Sequence, residues 1–240
     1  MAQAYKEPWS VLSITLDSLS TQTVPTERRC VVLALESRDP SAQATFERAK
    51  DVYGRKFAAL WGTLHELIPG EEVAGKGSNE NFAVRWLFSV LAADGHRGQH
   101  EYGGGSFKAG RELRHGRDSG GSSPGLARVD PANVMVTICD ADSDFAPRFL
   151  EQLENTHYQQ IDGRRCIYGG ALNTWANFAD EPNPLIRQHE IQRSINAINK
   201  MWLDPALHTQ SNYSLTLALC DMIGYWTPDN LPEDVHTGAC

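Results

Sequence analysis

The first half of the chain alternates between apolar residues at helical spacing and short, continuous apolar runs. The spacing predicts helices at residues 8–19, 41–53 and 81–93, and the runs predict strands at residues 30–35 and 60–64. Polar turns containing Pro or Gly separate these segments. Strands that alternate with helices indicate an α/β domain with a mixed, mostly parallel sheet flanked by helices.

The second half has fewer strand signals and longer helical segments. The pattern predicts a strand at residues 134–139, a short strand at 166–168, and helices at residues 145–157, 186–203 and 211–222. Only four or five strands can be counted, and no strand is expected before the first helix, which begins almost at once. We therefore expect a fragment that lacks the first strand of a complete doubly wound domain.

Residues 94–128 differ in composition from the rest of the chain. They contain ten glycines, few large apolar side chains and mixed charges. Such a segment cannot bury enough apolar surface to offset its ordering entropy, so we expect a mobile, disordered surface insertion. Acids and glycines interrupt its arginines (Arg111, Arg114 and Arg117), which favours a solvated loop over a nucleic-acid or lipid contact.

Composition excludes some classes of protein. The 240 residues carry a formal charge of −8, whereas a general nucleic-acid binder would present a basic face. The five cysteines show no CxxC spacing, which predicts reduced thiols in a reducing compartment. No apolar stretch reaches the roughly 20 residues that span a bilayer, and no signal peptide is visible, so we expect a soluble chain.

Two carboxylates separated by one small residue follow the strand predicted at residues 134–139. Side chains two apart in a strand point the same way, so Asp140 and Asp142 can converge where open α/β sheets bind ligands. Clustered carboxylates favour a hard cation such as Mg²⁺ or Mn²⁺. A helix cap would need only one of the two acids, and the residues alone leave both interpretations open.

Two further segments carry side chains suited to catalysis. Asp234 follows Glu233 and Pro232 and can serve as a general base toward a hydroxyl, although both acids can equally complement a helix dipole. Lys76 lies between two glycines and can approach a phosphate, but the spacing of a P-loop is absent.

Taken in order, these segments resemble the family 2 glycosyltransferases, and more closely the glycosyltransferase 2-like proteins of eukaryotic microbes. The resemblance rests on an Ala-Tyr-Lys-Glu-Pro opening at residues 4–8, the strand end at Glu36, the Lys76 segment, a DxD motif at Asp140 and Asp142, and Gly224-Tyr225-Trp226 followed by Glu233 and Asp234. It covers nearly the whole chain except the glycine-rich insertion. It implies one GT-A-type, Rossmann-like domain over residues 1–240, with a metal and acceptor half at residues 129–240.

The resemblance also implies a reaction. An inverting enzyme of this kind moves a hexose from a UDP- or GDP-sugar to a hydroxyl group of a glycan or another acceptor, with Mg²⁺ or Mn²⁺ as cofactor. By the same resemblance, Tyr5 and Glu7 border the base, Glu36 lies near the uracil or ribose, Lys76 and Asp140 lie near the nucleotide, Asp142 holds the metal with Asp140 beside it, and Asp234 beside Glu233 deprotonates the acceptor.

The chain also departs from the family pattern. The QxxRW motif and the membrane helices of processive members are missing. We therefore expect membrane contact only through segments absent from this chain, whose parent would be membrane-anchored with a cytosol-facing active site. A catalytically silent fragment that serves as a binding or assembly module is the alternative. A nucleotidyltransferase-like or phosphohydrolase enzyme would also use paired acids and a lysine, but would release pyrophosphate or phosphate.

Overall fold

A computed structural model of the protein describes residues 1–91, 111–113, 129–169, 183–203 and 212–226. Within these residues a single sheet has seven strands in the order β4-β3-β2-β1-β5-β7-β6. The strands are β1 (Ala2–Ala4), β2 (Cys30–Glu36), β3 (Ala59–His65), β4 (Arg111–Leu113), β5 (Met135–Asp140), β6 (Tyr168–Gly169) and β7 (Tyr213–Thr216). The four central strands are parallel, whereas β4 and β7 run antiparallel to their neighbours. The predicted α/β class with a mixed sheet is therefore confirmed.

Helices cover both faces of the central strands. They are α1 (Trp9–Ser20), α2 (Ala42–Tyr53), α3 (Lys76–Leu91), α4 (Phe149–Gln159), α5 (Pro184–Leu203) and α6 (Leu217–Met222). One apolar cluster joins alternate residues of β1, β2 and β5 to α1 and α2, and the other joins the remaining residues of β2 and β5 to α3 and α6. Because both faces are buried, β2 is a continuous apolar run, as expected for a parallel strand.

The packing between α2 and β3 depends on one glycine. A Cβ atom placed on Gly62 of β3 would lie 2.6 Å from Cδ2 of Phe46, whose ring is fully buried. No larger residue fits there without displacing that ring, so Gly62 sets the distance between helix and sheet.

The structure differs from the predictions in three places. No strand was expected before the first helix, yet Ala2–Ala4 form β1 between β2 and β5. The third helix begins at Lys76 and not at residue 81, so the lysine belongs to a helix and not to a loop. Residues 213–216 were expected to be helical but form β7, with α6 following at once.

The boundaries of α4 and of the glycine-rich segment also differ from the predictions. Helix α4 begins at Phe149, so Pro147 precedes the helix instead of lying in its first turn. Residues 111–113 lie inside the segment expected to be disordered, and they form β4 against β3. The rest of residues 94–128 lies outside the described residues. Among the helices that the structure describes, none is long and apolar enough to cross a membrane.

Candidate functional site

The strand order creates a topological switch point at the carboxyl ends of β1 and its neighbours. From β1 the sheet continues through β2 and β3 on one side and through β5 on the other. Ligands of open α/β sheets bind outside the carboxyl ends of such strands. Tyr5 and Glu7 follow β1 at this edge, and Asp140 ends β5 with Asp142 two residues later. The topology therefore brings these four predicted site residues to the same end of the sheet.

Lys76 lies between two carboxylates at this end of the sheet. Its Nζ atom is 3.3 Å from Oδ1 of Asp140 and 3.7 Å from Oε1 of Glu80, one helical turn further along α3. The Glu80 side chain is fully buried, whereas Lys76 and Asp140 are partly exposed. A buried carboxylate needs a nearby cation to offset its desolvation, so Glu80 fixes the ammonium beside the end of β5.

Aromatic and charged side chains adjoin each other after β1 and β2. The Lys6 ammonium and the Arg38 guanidinium each lie 4.9 Å from the centre of the Tyr5 ring. The same guanidinium forms an ion pair with the carboxylate of Glu36 at the end of β2. Both cations lie over the ring, so cation–π contacts hold the Tyr5 side chain in place between the turns after β1 and β2.

Lys6 has a positive φ of 63° in the turn after β1. Its amide donates a hydrogen bond of 3.0 Å to Oδ2 of Asp39, which stabilises this unusual backbone conformation. Burial alone would raise the pKa of Asp39, but hydrogen bonds from Ser41 and from the Lys6 amide outweigh it and lower that pKa. Asp39 therefore stays ionised and ties the turn after β1 to the turn after β2.

The carboxyl group of Glu7 has a raised pKa. Burial is the largest cause, and the nearby negative charges of Asp39 and Asp142 raise it further, while backbone amides oppose the shift. The turns after β1, β2 and β5 thus bring three carboxylates into one electrostatic neighbourhood. Such a neighbourhood favours the binding of a cation, which would relieve the repulsion.

The turn that carries Asp142 is anchored on both sides. Thr15 in α1 donates a buried hydrogen bond of 2.6 Å to the carbonyl oxygen of Ala141. The hydroxyl of Ser143 donates to Oδ1 of Asn212 over 2.7 Å, which links the turn to the residue before β7. With Ala141 and Ser143 buried, Asp142 is left exposed and directed away from the core.

The segment before Lys76 is anchored at the end of β3. The buried imidazole of His65 lies 3.0 Å from Oε2 of Glu72, and the same carboxylate oxygen accepts a hydrogen bond from the Ile68 amide. The His65 ring also packs on Phe82 of α3, with ring centres 5.2 Å apart. These contacts hold the connection between β3 and α3 and thereby fix where α3 begins.

The predicted site residues have different outcomes. Tyr5, Glu7, Lys76, Asp140 and Asp142 share the switch-point edge. Glu36 ends β2 at the same edge, but its side chain is buried and engaged by Arg38. Glu233 and Asp234 lie outside the described residues, so their proposed part in acceptor activation stays a prediction.

Sequence reasoning overlooked Arg38, Asp39 and Glu80. Arg38 and Asp39 stand in the polar turn after β2. Because β2 lies beside β1, the position of this turn could have indicated that both residues lie near the candidate site. Glu80 is four residues after Lys76, a spacing that becomes informative only once α3 is known to begin at Lys76.

The residues present suit a divalent ion that completes its coordination with a ligand. Among the described residues, no group of three or more His, Cys, Asp or Glu side chains forms a ready-made metal cage. Mg²⁺ commonly binds through one or two carboxylates plus substrate phosphates and water, and does not need such a cage. The exposed Asp142, with Asp140 and Glu7 in its neighbourhood, fits that mode of binding.

Comparison with known proteins yielded no relative: no protein-family model, curated protein or solved structure matches the chain.

Proposed function

We propose that the chain is a metal-dependent, inverting glycosyltransferase domain of GT-A type that moves a hexose from a UDP- or GDP-sugar to an acceptor hydroxyl. The carrying observation is the contact of Lys76 with Asp140 at the switch point. A cation beside a carboxylate, at the edge where α/β sheets bind nucleotides, suits a ligand that brings both a diphosphate and a metal ion.

The two turns that flank β1 support a nucleotide as the ligand. The planar guanidinium of Arg38, which packs over the Tyr5 ring, suits contact with a base, and Lys76 beside Asp140 suits the diphosphate. Tyr5 follows β1, and Lys76 contacts the last residue of β5, the strand beside β1, so one nucleotide would span the two features. The sequence resemblance likewise implies that Tyr5 borders the base and that Lys76 lies near the nucleotide.

Asp142, with Asp140 beside it, would hold Mg²⁺ or Mn²⁺ against the diphosphate. The bound ion would offset the charge that develops on the departing diphosphate. Lys76 would add a second positive charge on the same group, and Glu80 would keep that ammonium in position. The exposed position of Asp142 leaves room for diphosphate oxygens and water in the coordination shell.

Asp234 would be the general base that activates the acceptor hydroxyl. The acceptor oxygen attacks the anomeric carbon while the bond from that carbon to the diphosphate oxygen breaks. The electron pair leaves with the nucleoside diphosphate, and the hydroxyl proton passes to the carboxylate of Asp234. A single displacement of this kind inverts the anomeric configuration.

Calorimetric titration with UDP and with GDP, each with and without Mn²⁺, tests the donor site. We expect binding of one nucleotide to require the metal in the wild type and to be lost in Asp142→Asn. Asp144→Asn is the matched control, because Asp144 is an exposed acid two residues further along and holds no place in the proposed site.

Three results would contradict the proposal. Metal-dependent binding that survives in Asp142→Asn would remove that carboxylate from the site. Folded protein that binds neither nucleotide would favour the silent binding or assembly module. Turnover that releases pyrophosphate or phosphate instead of a nucleoside diphosphate would favour a nucleotidyltransferase or a phosphohydrolase.

A further inference from the structure

Three non-glycine residues within the described ranges have a positive φ, and Lys6 is one of them. Asn212, with a φ of 76°, is a residue type that adopts the left-handed conformation readily. Tyr225, with a φ of 67°, is held by its side chain, whose hydroxyl donates to Asp221 and whose ring packs against Phe88. Neither reason applies to Lys6, because lysine does not favour this conformation and Lys6 is exposed.

A lysine at this position therefore carries a cost in backbone conformation. Residues held in such a conformation cluster at sites where ligands bind. The hydrogen bond from the Lys6 amide to Asp39 holds the backbone, but any residue except proline would supply the same amide. That hydrogen bond accounts for the shape of the turn and not for the presence of a lysine side chain.

The Lys6 ammonium differs from the other cations at the carboxyl ends of the central strands. Lys76 contacts the carboxylate of Asp140, and Arg38 forms an ion pair with Glu36. Within the part of the chain that the structure describes, the Lys6 ammonium forms neither an ion pair nor a hydrogen bond and lies over the neighbouring aromatic ring. Its three N–H groups can therefore donate to a ligand.

The turn that carries Lys6 lies close to the turn that carries Asp142. Glu7, the residue after Lys6, interacts electrostatically with both Asp39 and Asp142. A ligand that shares a metal ion with Asp142 would therefore place its oxygens near the turn after β1. Phosphate oxygens suit an ammonium group, which acts on them as a compact point charge.

We propose that Lys6 is a further ligand-binding residue whose ammonium donates to the phosphate oxygens of the ligand. The inference rests on the proposed function, in which those oxygens belong to the diphosphate of the nucleotide. The flexible side chain allows the ammonium to move from the Tyr5 ring to the phosphate. Lys6 thus strengthens ligand binding at the expense of the stability of its own turn.

Four variants of the full chain separate the charge of Lys6 from its backbone conformation. Lys6→Asn removes the charge and favours a positive φ, whereas Lys6→Gln removes the charge without that preference. Lys6→Arg keeps the charge. Lys56→Asn is the matched control, because the Lys56 ammonium also lies over a tyrosine ring, 4.7 Å from the centre of Tyr53, in the turn before β3 at the other end of the sheet.

Calorimetric titrations with pyrophosphate, UDP and GDP in Mg²⁺, together with thermal melts, compare these variants with the wild type. Both neutral variants of Lys6 are expected to bind pyrophosphate and the nucleotide roughly tenfold more weakly. Lys6→Arg and Lys56→Asn should stay within about twofold of the wild type. Lys6→Asn should melt about 2 °C above Lys6→Gln. Weaker binding in the more stable of the two neutral variants marks a ligand contact, since a purely structural lysine would not affect the affinity.

The possible results distinguish this inference from the proposed function. Unchanged affinities in Lys6→Asn would overturn the inference and leave the donor site in place. Wild-type protein that binds pyrophosphate through Lys6 but binds neither nucleotide would support the phosphate contact and overturn the proposed function. Wild-type protein that binds none of the three ligands would overturn both. A Lys6→Asn protein that melts below Lys6→Gln would also overturn the inference, because the turn would then not disfavour a lysine.

Discussion

The Nζ atom of Lys76 lies 3.3 Å from Oδ1 of Asp140, so the first residue of α3 contacts the last residue of β5. The two elements belong to different halves of the chain and meet beside the switch point of the sheet. Glu80, on the next turn of α3, holds the same ammonium from the protein side. We therefore expect Lys76 to contribute to stability, in addition to the part in ligand binding that the proposed function gives it.

Lys76→Met is expected to destabilise the fold, because the buried Glu80 carboxylate would lose the ammonium 3.7 Å away. Removing one partner from a largely buried pair costs about 3 kcal/mol, which corresponds to a fall of roughly 10 °C in melting temperature. The double variant Lys76→Met/Glu80→Gln should recover at least half of the loss, since no buried charge remains. Thermal melts measure both effects.

Lys50→Met is the control for that prediction, because Lys50 pairs with Glu47 at the surface over 3.1 Å. Surface pairs contribute little, so its melting temperature should stay within a few degrees of the wild type. A Lys50 variant as unstable as Lys76→Met would show that the burial of Glu80 is not the cause.

Thr15→Val should weaken metal-dependent nucleotide binding from a distance. Valine keeps the shape of threonine but cannot donate to the carbonyl oxygen of Ala141, which Thr15 reaches over 2.6 Å. The unsatisfied buried carbonyl should lower the free energy of unfolding by about 1–2 kcal/mol. The turn that carries Asp142 would loosen at the same time. Calorimetry and thermal melts would be compared with Thr21→Val, an exposed threonine at the end of the same helix.

Glu7→Gln should change how stability depends on pH. The pKa of Glu7 is raised above 4.5, first by burial and then by Asp39 and Asp142, so the folded state binds this proton more tightly than the unfolded chain. The stability that Glu7 contributes is present below that value and is lost as pH rises through the raised pKa. The melting temperature of Glu7→Gln relative to wild type should therefore increase between about pH 4 and pH 7.

Glu66→Gln replaces an exposed carboxyl after β3 and serves as the control for the pH series. The same trend in both variants would mean that the trend does not arise from Glu7. Adding Mn²⁺ should flatten the trend of Glu7→Gln, because a cation beside Asp142 would offset the repulsion that raises the pKa.

Gly62→Ala should destabilise the contact between α2 and β3. The new Cβ atom would lie 2.6 Å from Cδ2 and 2.8 Å from Cε2 of the Phe46 ring, which is fully buried and would have to shift. Overpacking of this kind costs about 1–3 kcal/mol. Phe46→Leu in the same chain should relieve part of the clash, and denaturant titration of the two single variants and the double variant measures the coupling. Additive losses would contradict the proposed clash.

Long periodic segments could be predicted from the sequence, whereas short elements could not. The helices α1, α2 and α5 and the strand β2 follow clear periodic or continuous apolar patterns, and each lies close to its predicted position. Strand β1 has only three residues, and its pairing with β2 and β5 depends on distant parts of the chain. Local pattern carries no information about such partners.

The other misses have equally specific causes. Tyr213–Thr216 pass directly into α6 without an intervening turn, so the apolar period could not separate strand from helix. Gly77 lies in the first turn of α3, and glycine disfavours helices, so the sequence did not indicate that the helix begins at Lys76. The convergence of Tyr5, Lys76 and the Asp140 turn could be expected from strand ends. The positions of Arg38 and Glu80 required the three-dimensional arrangement.

The pairing of β1 also constrains the order in which the protein can form. The Met1 carbonyl accepts its hydrogen bond from Cys139, so the second neighbour of β1 is synthesised long after β1 itself. Until then one side of this strand has no partner, and contacts so distant in sequence form slowly. During translation β1 can pair with β2 and pack against α1 and α2, while its other edge stays open to association with other chains until β5 is made.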